Sequence, residues 1–146
     1  RVHEPNTRIA LGEPIELQAG SQVAVLATGT ALRHAQEWVQ RLRAEIDPIE
    51  AALISVPTVK PFPVKVIHKY AERGIPIVTV EEHSVIGGLG SAAAEALAEL
   101  DGSVRLRRFG LPDAFCREVG SHSYLLERSG FHYERFQDIV RGACGQ

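Results

Sequence analysis

Methionine is absent from the 146 residues, and the chain begins at Arg1. Because translation starts with methionine, we expect this chain to be a piece of a longer protein, with another domain before Arg1. Residues 1–20 are polar and rich in turn-forming types, so no secretory signal is visible among them. We expect residues 1–11 to be the remnant of an interdomain linker and residues 12–146 to form one domain with one core.

The sequence is also short of cysteine, of excess charge and of long apolar runs. Its two cysteines, Cys116 and Cys144, form no Cys-x-x-Cys pair, which favours reduced thiols in a cytoplasm over a zinc site or a disulfide framework. The formal net charge of −2 gives no electrostatic footprint for nucleic acid. No apolar run reaches the roughly 18 residues that would span a membrane. We therefore expect a cytoplasmic domain without nucleic-acid or membrane partners.

What the sequence does contain is a regular alternation of apolar runs and amphipathic segments. Short apolar runs predict strands at residues 23–27, 52–56, 75–80 and 104–109, with a further candidate at 15–18. Helices are predicted after Thr30, between Pro63 and Gly74, and at residues 91–97, 123–128 and 133–144. This alternation predicts a three-layer α/β domain with a mainly parallel sheet and right-handed crossovers. Charges on both faces of 104–109 suit an exposed edge strand.

Apolar spacing also predicts which face of each long helix meets the sheet. Residues at intervals of three and four face inward in the first two helices. In the first they are Leu32, Ala35, Val39, Leu42 and Ile46, with Trp38 beside them, and in the second Val64, Ile67, Tyr70 and Ala71.

The densest group of chemically informative residues follows the run at 75–80. Glycines there allow a tight turn and a close approach to a ligand, and a helix N-terminus presents unpaired amides, so a small anion could bind. Alternatively, the glycines only permit the turn and helix packing, while the Glu and His cap or pair locally. Neither Gly-x-Gly-x-x-Gly nor a P-loop lysine is present. The group runs from Glu81 to Ser91, and its candidate site residues are Glu82, His83, Gly87, Gly88, Gly90 and Ser91.

A second candidate group, Thr28, Gly29 and Thr30, ends the first long apolar run. Ligand crevices in parallel sheets open at the carboxyl ends of strands, where the strand order reverses. If the runs at 23–27 and 75–80 are neighbours, both loops line one crevice. The alternative is that Thr28 or Thr30 only caps the helix that follows.

The remaining polar residues offer weaker signals. The six histidines show neither His-Glu-x-x-His nor Cys/His pairing, so no metal site is expected. His83 lies beside an acidic pair and a glycine loop, which makes it a candidate for proton transfer or for a structural hydrogen bond. Gly-x-Ser-x-Gly is absent, which argues against an α/β-hydrolase elbow. Arg105, Arg107 and Arg108 could grip phosphate, but a solvated edge strand also explains them.

Residues 78–91 (Val-Thr-Val-Glu-Glu-His-Ser-Val-Ile-Gly-Gly-Leu-Gly-Ser) resemble a stretch of the C-terminal domain of transketolase-family enzymes. Residues 25–30 resemble that domain's first strand and turn, residues 58–62 its Lys-Pro turn, and residues 111–115 its late Pro-Asp-x-Phe element. Together these segments extend the resemblance from Gly12 to about residue 140, which is nearly the whole chain.

The resemblance implies a five-stranded mixed sheet in the order 1-3-2-4-5, with the first strand antiparallel and residues 15–18 and 104–109 at the edges. It also implies a parent enzyme that uses thiamine diphosphate and Mg²⁺ to move a two-carbon ketol unit between sugar phosphates. In the family the two upstream domains hold that cofactor. The cofactor motif needs Gly-Asp-Gly followed by asparagine. This chain lacks Gly-Asp-Gly, and its only asparagine is Asn6, so we expect neither cofactor nor catalytic residues here.

The expected function is therefore that of a transketolase-like C-terminal domain that supports assembly and interdomain packing. Its partners would be upstream domains or a separate subunit of one enzyme, in a homodimeric parent. Two alternatives stay open: a regulatory module that binds a small anion or nucleotide in the crevice, and the C-terminal domain of a 2-oxo acid dehydrogenase β subunit. Basic residues near the crevice would favour binding, whereas a closed apolar crevice would favour packing.

Overall fold

The computed structural model describes residues 2–3, 5–101 and 104–145. Arg1 and Glu4 of the predicted linker lie outside the described residues. Five strands and five helices alternate along the chain. In chain order they are β1 (Ile15–Gln18), β2 (Val23–Ala27), α1 (Ala31–Arg43), β3 (Ala51–Ser55), α2 (Val64–Ala71), β4 (Ile77–Ser84), α3 (Leu89–Ala98), β5 (Leu106–Leu111), α4 (His122–Arg128) and α5 (Tyr133–Cys144).

The strands form one sheet in the order β1-β3-β2-β4-β5. Strand β1 runs antiparallel to β3, and the other pairs are parallel. This arrangement confirms the predicted mixed sheet, with β1 and β5 at its edges. The three inner strands are nearly continuous apolar runs because helices cover both of their faces.

Two apolar clusters fill the space on the two sides of the sheet. On one side, α1, α5 and Leu126 of α4 pack against alternate residues of the strands, such as Val25 and Val80. On the other side, α2 and α3 pack against the intervening residues, such as Leu26 and Ile77. The alanines of α3 allow it to lie close to the sheet. Side chains at successive strand positions therefore point to opposite sides of the sheet and belong to different cores. This alternation determines which helices each side chain of the site can contact.

The boundaries of the two strands beside the site differ from those predicted. Strand β4 continues through Glu81 to Ser84, where a loop was predicted, because Ser84 still pairs with Leu111 of β5 after an irregularity in the register. Strand β5 begins at Leu106 rather than at residue 104, since its register with β4 starts at Ile77 opposite Leu106. The acidic pair therefore lies on a strand.

The predicted inner faces of the first two helices need two corrections. Ile46 is fully exposed because α1 ends at Arg43, whereas Trp38 is buried among Phe109, Phe131 and Phe136. In α2 the inner face contains Val66 with Ile67 and Tyr70. Val64, at the first helical position, is exposed and Ala71 is only half-buried. Periodicity identified the buried stripe of α1 except for its end, whereas in α2 it also omitted Val66.

Within the described part of the chain, none of the helices has the length and apolar character needed to cross a membrane.

Candidate functional site

The two predicted site segments start from neighbouring strands. Ala27 of β2 pairs with Val80 of β4 in parallel register, and the Thr28 amide donates a hydrogen bond to the Val80 carbonyl at 3.3 Å. The two strands are therefore neighbours, which is the condition for a shared crevice. Whether one is formed depends on where the side chains beyond residue 80 point.

The adjacent glutamates at the end of β4 point to opposite sides of the sheet. Glu82 turns toward α1, where Thr30 Oγ1 donates a 2.7 Å hydrogen bond to Glu82 Oε2 and His122 Nε2 contacts Glu82 Oε1. Glu81 turns toward α3. Because successive strand side chains point to opposite faces of the sheet, Glu81 and Glu82 form hydrogen bonds in different layers.

Glu81 fills the N-terminus of α3 with its own carboxylate. The Leu89 amide donates to Glu81 Oε2 at 2.7 Å, and the Gly90 amide donates to Glu81 Oε1 at 2.8 Å. Glu81 is only 1% exposed, so this internal anion satisfies amides that are otherwise unpaired at a helix start. Of the predicted local roles of Glu82 and His83, the pairing is therefore present, whereas the capping of α3 belongs to Glu81.

Gly88 is required by the approach of that carboxylate. A Cβ on Gly88 would lie 1.9 Å from Glu81 Oε2 and 3.0 Å from His83 Nδ1. The φ of Gly88 is −105°, so the reason is crowding and not a positive φ. Gly87 is the residue of this turn with a positive φ, at 82°.

The other residues of the glycine turn also satisfy one another. Ser91 Oγ accepts a 2.8 Å hydrogen bond from the Gly87 amide. A Cβ on Gly90 would lie 2.7 Å from Cδ of Arg108, whose Nη1 donates to the Val85 carbonyl at 2.8 Å. The nearby basic side chain therefore braces the turn.

The threonines after β2 do not cap α1 with their side chains. Thr30 occupies the N-cap position without a side-chain cap, because its hydroxyl donates to Glu82. Thr28 Oγ1 donates to the Val56 carbonyl at 2.8 Å, which ties the end of β2 to the segment after β3. Gly29 between them has a φ of 59°.

Glu82 is the polar side chain that links this edge of the sheet to α4. Burial alone would raise its pKa, but the hydrogen bonds from His122 and Thr30 outweigh it and hold the pKa of Glu82 below its ordinary value. His83, by contrast, is exposed, and its Nδ1 lies 2.8 Å from the Ser84 carbonyl oxygen. The pairing favours a structural role for Glu82.

A cavity of about 540 Å³ lies beside the glycine turn, on the α2–α3 side of the sheet. Gly87, Gly88 and Ser91 line one wall, and residues 59–62 line the opposite wall. Thr28, Gly29 and Thr30 do not line this cavity, because they lie toward α1. The two predicted halves of the site are therefore neighbours along the sheet edge but face different layers.

Sequence reasoning missed the capping role of Glu81 and missed His122 altogether. Strand alternation beyond residue 80 would have separated Glu81 from Glu82, had the strand been extended that far. No local pattern marks His122, which lies 40 residues from Glu82 in the chain. Among the described residues, no group of three or more His, Cys, Asp or Glu side chains could hold a metal ion.

Comparisons with known proteins agree along nearly the whole chain. The family profile described as "Transketolase, C-terminal domain" matches residues 12–135. A 6-deoxy-6-sulfo-D-fructose transketolase subunit of Clostridium sp. (strain MSTE9) is 40% identical over 143 residues, which are 98% of this chain and 42% of that protein. A 1-deoxy-D-xylulose-5-phosphate synthase of Shouchella clausii (strain KSM-K16) is 36% identical over 134 residues, 92% of this chain and 21% of that protein.

Solved structures show the same similarity. A structure described as a split gene transketolase, inactive β4 tetramer, superposes with a TM-score of 0.89 at 32% identity, covering 99% of this chain and 46% of that chain. A transketolase from Leishmania mexicana superposes with a TM-score of 0.57 at 17% identity, over 89% of this chain and 17% of that one, which shows a shared fold. The chain spans less than half the length of each of these four proteins.

Proposed function

Because this chain belongs to the transketolase C-terminal domain family, as residues 78–91 predicted, we propose that its parent enzyme transfers a two-carbon ketol unit between sugar phosphates. In that cytoplasmic enzyme, a homodimer, the domain supports subunit assembly and interdomain packing and supplies no catalytic residue. Its partners are upstream domains of the same chain or a separate subunit that carries them.

The observation that carries this proposal is the carboxylate of Glu81 at the start of α3. A module that binds a phosphate or nucleotide at this turn would need the Leu89 and Gly90 amides, and Glu81 already accepts both. A negative charge at the same place also repels an incoming anion. The turn is therefore built as a packed structural element, which favours a packing domain over a regulatory binding module.

The same observation bears on thiamine diphosphate and Mg²⁺, which the family implies. A diphosphate would meet the carboxylate of Glu81 at the helix start, and the described residues contain no cluster of ligands for a cation. The residues present therefore do not fit the cofactor. Together with the missing Gly-Asp-Gly and asparagine motif, this supports a cofactor site in another part of the enzyme.

The names of the relatives support a transketolase-type parent over a 2-oxo acid dehydrogenase. One is a transketolase subunit, one is a 1-deoxy-D-xylulose-5-phosphate synthase, and one is a split gene transketolase. The words "subunit" and "split gene" in these descriptions suit a domain whose partner can be a separate polypeptide. These words support a separate subunit as one of the two arrangements of the parent that we propose.

The test is a transfer assay on the parent enzyme, assembled from this chain and the part that carries the cofactor motif. Ketose phosphates and 6-deoxy-6-sulfo-D-fructose serve as donors, and aldose phosphates serve as acceptors. We expect two-carbon transfer to the aldose, and loss of the assembled dimer when this chain is omitted. Formation of 1-deoxy-D-xylulose 5-phosphate without ketol transfer would overturn the proposed reaction. A dimer that assembles equally well without this chain would overturn the proposed role.

A further inference from the structure

The segment that follows β5 presents apolar side chains to solvent at the carboxyl edge of the sheet. We call residues 112–121 the edge loop. In it Phe115 is 95% exposed and Val119 is 98% exposed, and Ile86, after β4 at the same edge, is 58% exposed. A single exposed apolar residue is ordinary, but several at one edge of a domain make that edge a candidate docking surface.

The edge loop is held in place by polar contacts. Glu118 accepts three hydrogen bonds of 2.8–3.0 Å from the Arg128 guanidinium of α4 and one of 2.7 Å from the Tyr124 hydroxyl. Ser84 Oγ donates to Asp113 at 3.3 Å, which joins the loop to the end of β4. Apolar side chains on an ordered loop lose less conformational freedom on docking, so such a loop suits a lasting interface.

The N-terminal segment reaches the same edge of the sheet. His3 Nε2 lies 3.2 Å from the Oγ of Ser55, the last residue of β3, and Val2 packs against the core on the α1 side. Strand β3 is separated from β5 by β2 and β4, a distance of about 14 Å at ordinary strand spacing. A domain joined before Val2 therefore starts beside the edge that carries Phe115 and Val119.

We propose that the edge loop docks onto the upstream domain of the same enzyme, with Phe115 and Val119 as its anchoring side chains. The inference rests on the proposed function in taking that domain to precede this one in the same polypeptide, the first of the two arrangements proposed above. A domain tethered at this edge has an effective concentration in the millimolar range. The tether therefore favours the upstream domain as the occupant of the edge loop.

The first experiment is photo-crosslinking in the complete parent enzyme, with p-benzoylphenylalanine in place of Phe115. The matched control carries it in place of Ile46, which is also fully exposed and apolar but lies between α1 and β3 at the opposite edge. We expect position 115 to cross-link to the upstream domain and position 46 not to do so. Cross-links between two copies of position 115, or to the upstream domain only from position 46, would overturn the assignment.

The second experiment measures amide hydrogen exchange of the edge loop in the same enzyme. Phe115→Asp and Val119→Asp place a charge in the proposed interface, and we expect each to speed exchange of residues 112–121 by about tenfold or more. Ile46→Asp leaves that exchange unchanged. Equal exchange in all three variants and the parent would overturn the docking proposal. Both experiments report contacts without using activity, so an enzyme that fails in ketol transfer can still show the docking.

Discussion

Glu81 and Gly88 depend on each other for the shape of the turn before α3. The carboxylate reaches the start of α3 because Gly88 has no side chain, and the turn keeps its shape because the carboxylate accepts two amide hydrogen bonds. A buried carboxylate of this kind is tolerated when hydrogen bonds compensate for the loss of water. The glycine and the glutamate should therefore be sensitive to small changes.

At Gly88 we expect even Gly88→Ala to lower the free energy of unfolding by about 1–3 kcal/mol, the usual cost of overpacking. The added Cβ would lie 1.9 Å from Glu81 Oε2, and a buried carboxylate with two hydrogen bonds cannot move away freely. Gly88→Val should cost at least as much. Urea denaturation measures the difference.

The control for that substitution is Gly142→Ala in α5, where an added Cβ meets no atom within 4 Å. Replacing a helical glycine by alanine there should stabilise the fold by about 0.4–1 kcal/mol. If Gly88→Ala were as stable as the parent chain, the close approach of Glu81 would be incidental.

A second prediction at this turn concerns phosphate. Because Glu81 occupies the Leu89 and Gly90 amides, and a helix dipole contributes only about 0.3–1 kcal/mol, we expect no tight anion site. A phosphate titration followed by amide chemical shifts should give no saturable change at residues 87–91 below millimolar concentration. Saturable shifts there in the unmodified chain would favour the regulatory module over the packing domain.

At the scale of elements, Glu45 fastens α5 to the segment after α1. Its carboxylate accepts hydrogen bonds from the Tyr133 hydroxyl, from Gln137 Nε2 at 2.6 Å and 2.7 Å, and from Arg141 Nη2 at 2.8 Å. The Tyr133 hydrogen bond is the largest influence on the carboxyl group, and with Arg141 and Gln137 it lowers the pKa of Glu45 below 4.5 against the opposing effect of burial.

A lowered pKa in the folded state makes the ionised form the stabilising one. The contribution of Glu45 is therefore complete above about pH 4.5 and is lost as the pH falls through the lower, folded-state value. At pH 7 we expect Glu45→Gln to be less stable than the parent chain by about 1.5–3 kcal/mol, the range for hydrogen bonds to a charged group. Below pH 4.5 the difference should shrink.

Denaturation curves at several pH values measure this change. Glu95→Gln is the matched control, because Glu95 is an exposed carboxylate on α3. The stability of the control should follow that of the parent chain at every pH. A Glu45→Gln deficit that is constant from pH 7 to pH 3 would show that the carboxylate acts by packing and not by its charge.

At the scale of the whole molecule, the chain is one layered domain whose two cores are filled by its own helices. We predict that the isolated chain binds no thiamine diphosphate in calorimetry with Mg²⁺ present. The carboxylate of Glu81 occupies the N-terminus of α3, and the cofactor motif is missing. The complete parent enzyme, which contains that motif by our proposal, is the positive control. Micromolar binding by the isolated chain would overturn the assignment of the cofactor to another part of the enzyme.

The sequence by itself determined the architecture and, through residues 78–91, the family. Apolar runs of five or six residues mark buried strands, and apolar spacing of three and four marks helices. Both signals are local, so they can be read without knowledge of the tertiary structure. The exact ends of strands and helices cannot be read in this way. The pairing of Ser84 with Leu111 extends β4, and the end of α1 at Arg43 leaves Ile46 in solvent.

Only the tertiary structure decided which of two adjacent glutamates fills the turn. The sequence presents Glu81 and Glu82 as one acidic pair, whereas the sheet sends them into different layers, one to α3 and one to Thr30 and His122. The carboxylate in the turn and the distant histidine are contacts between elements, and they depend on the register of β4 with its neighbours. Alternation would separate the two glutamates once β4 is known to continue past residue 80, but that continuation depends on the long-range pairing of Ser84 with Leu111.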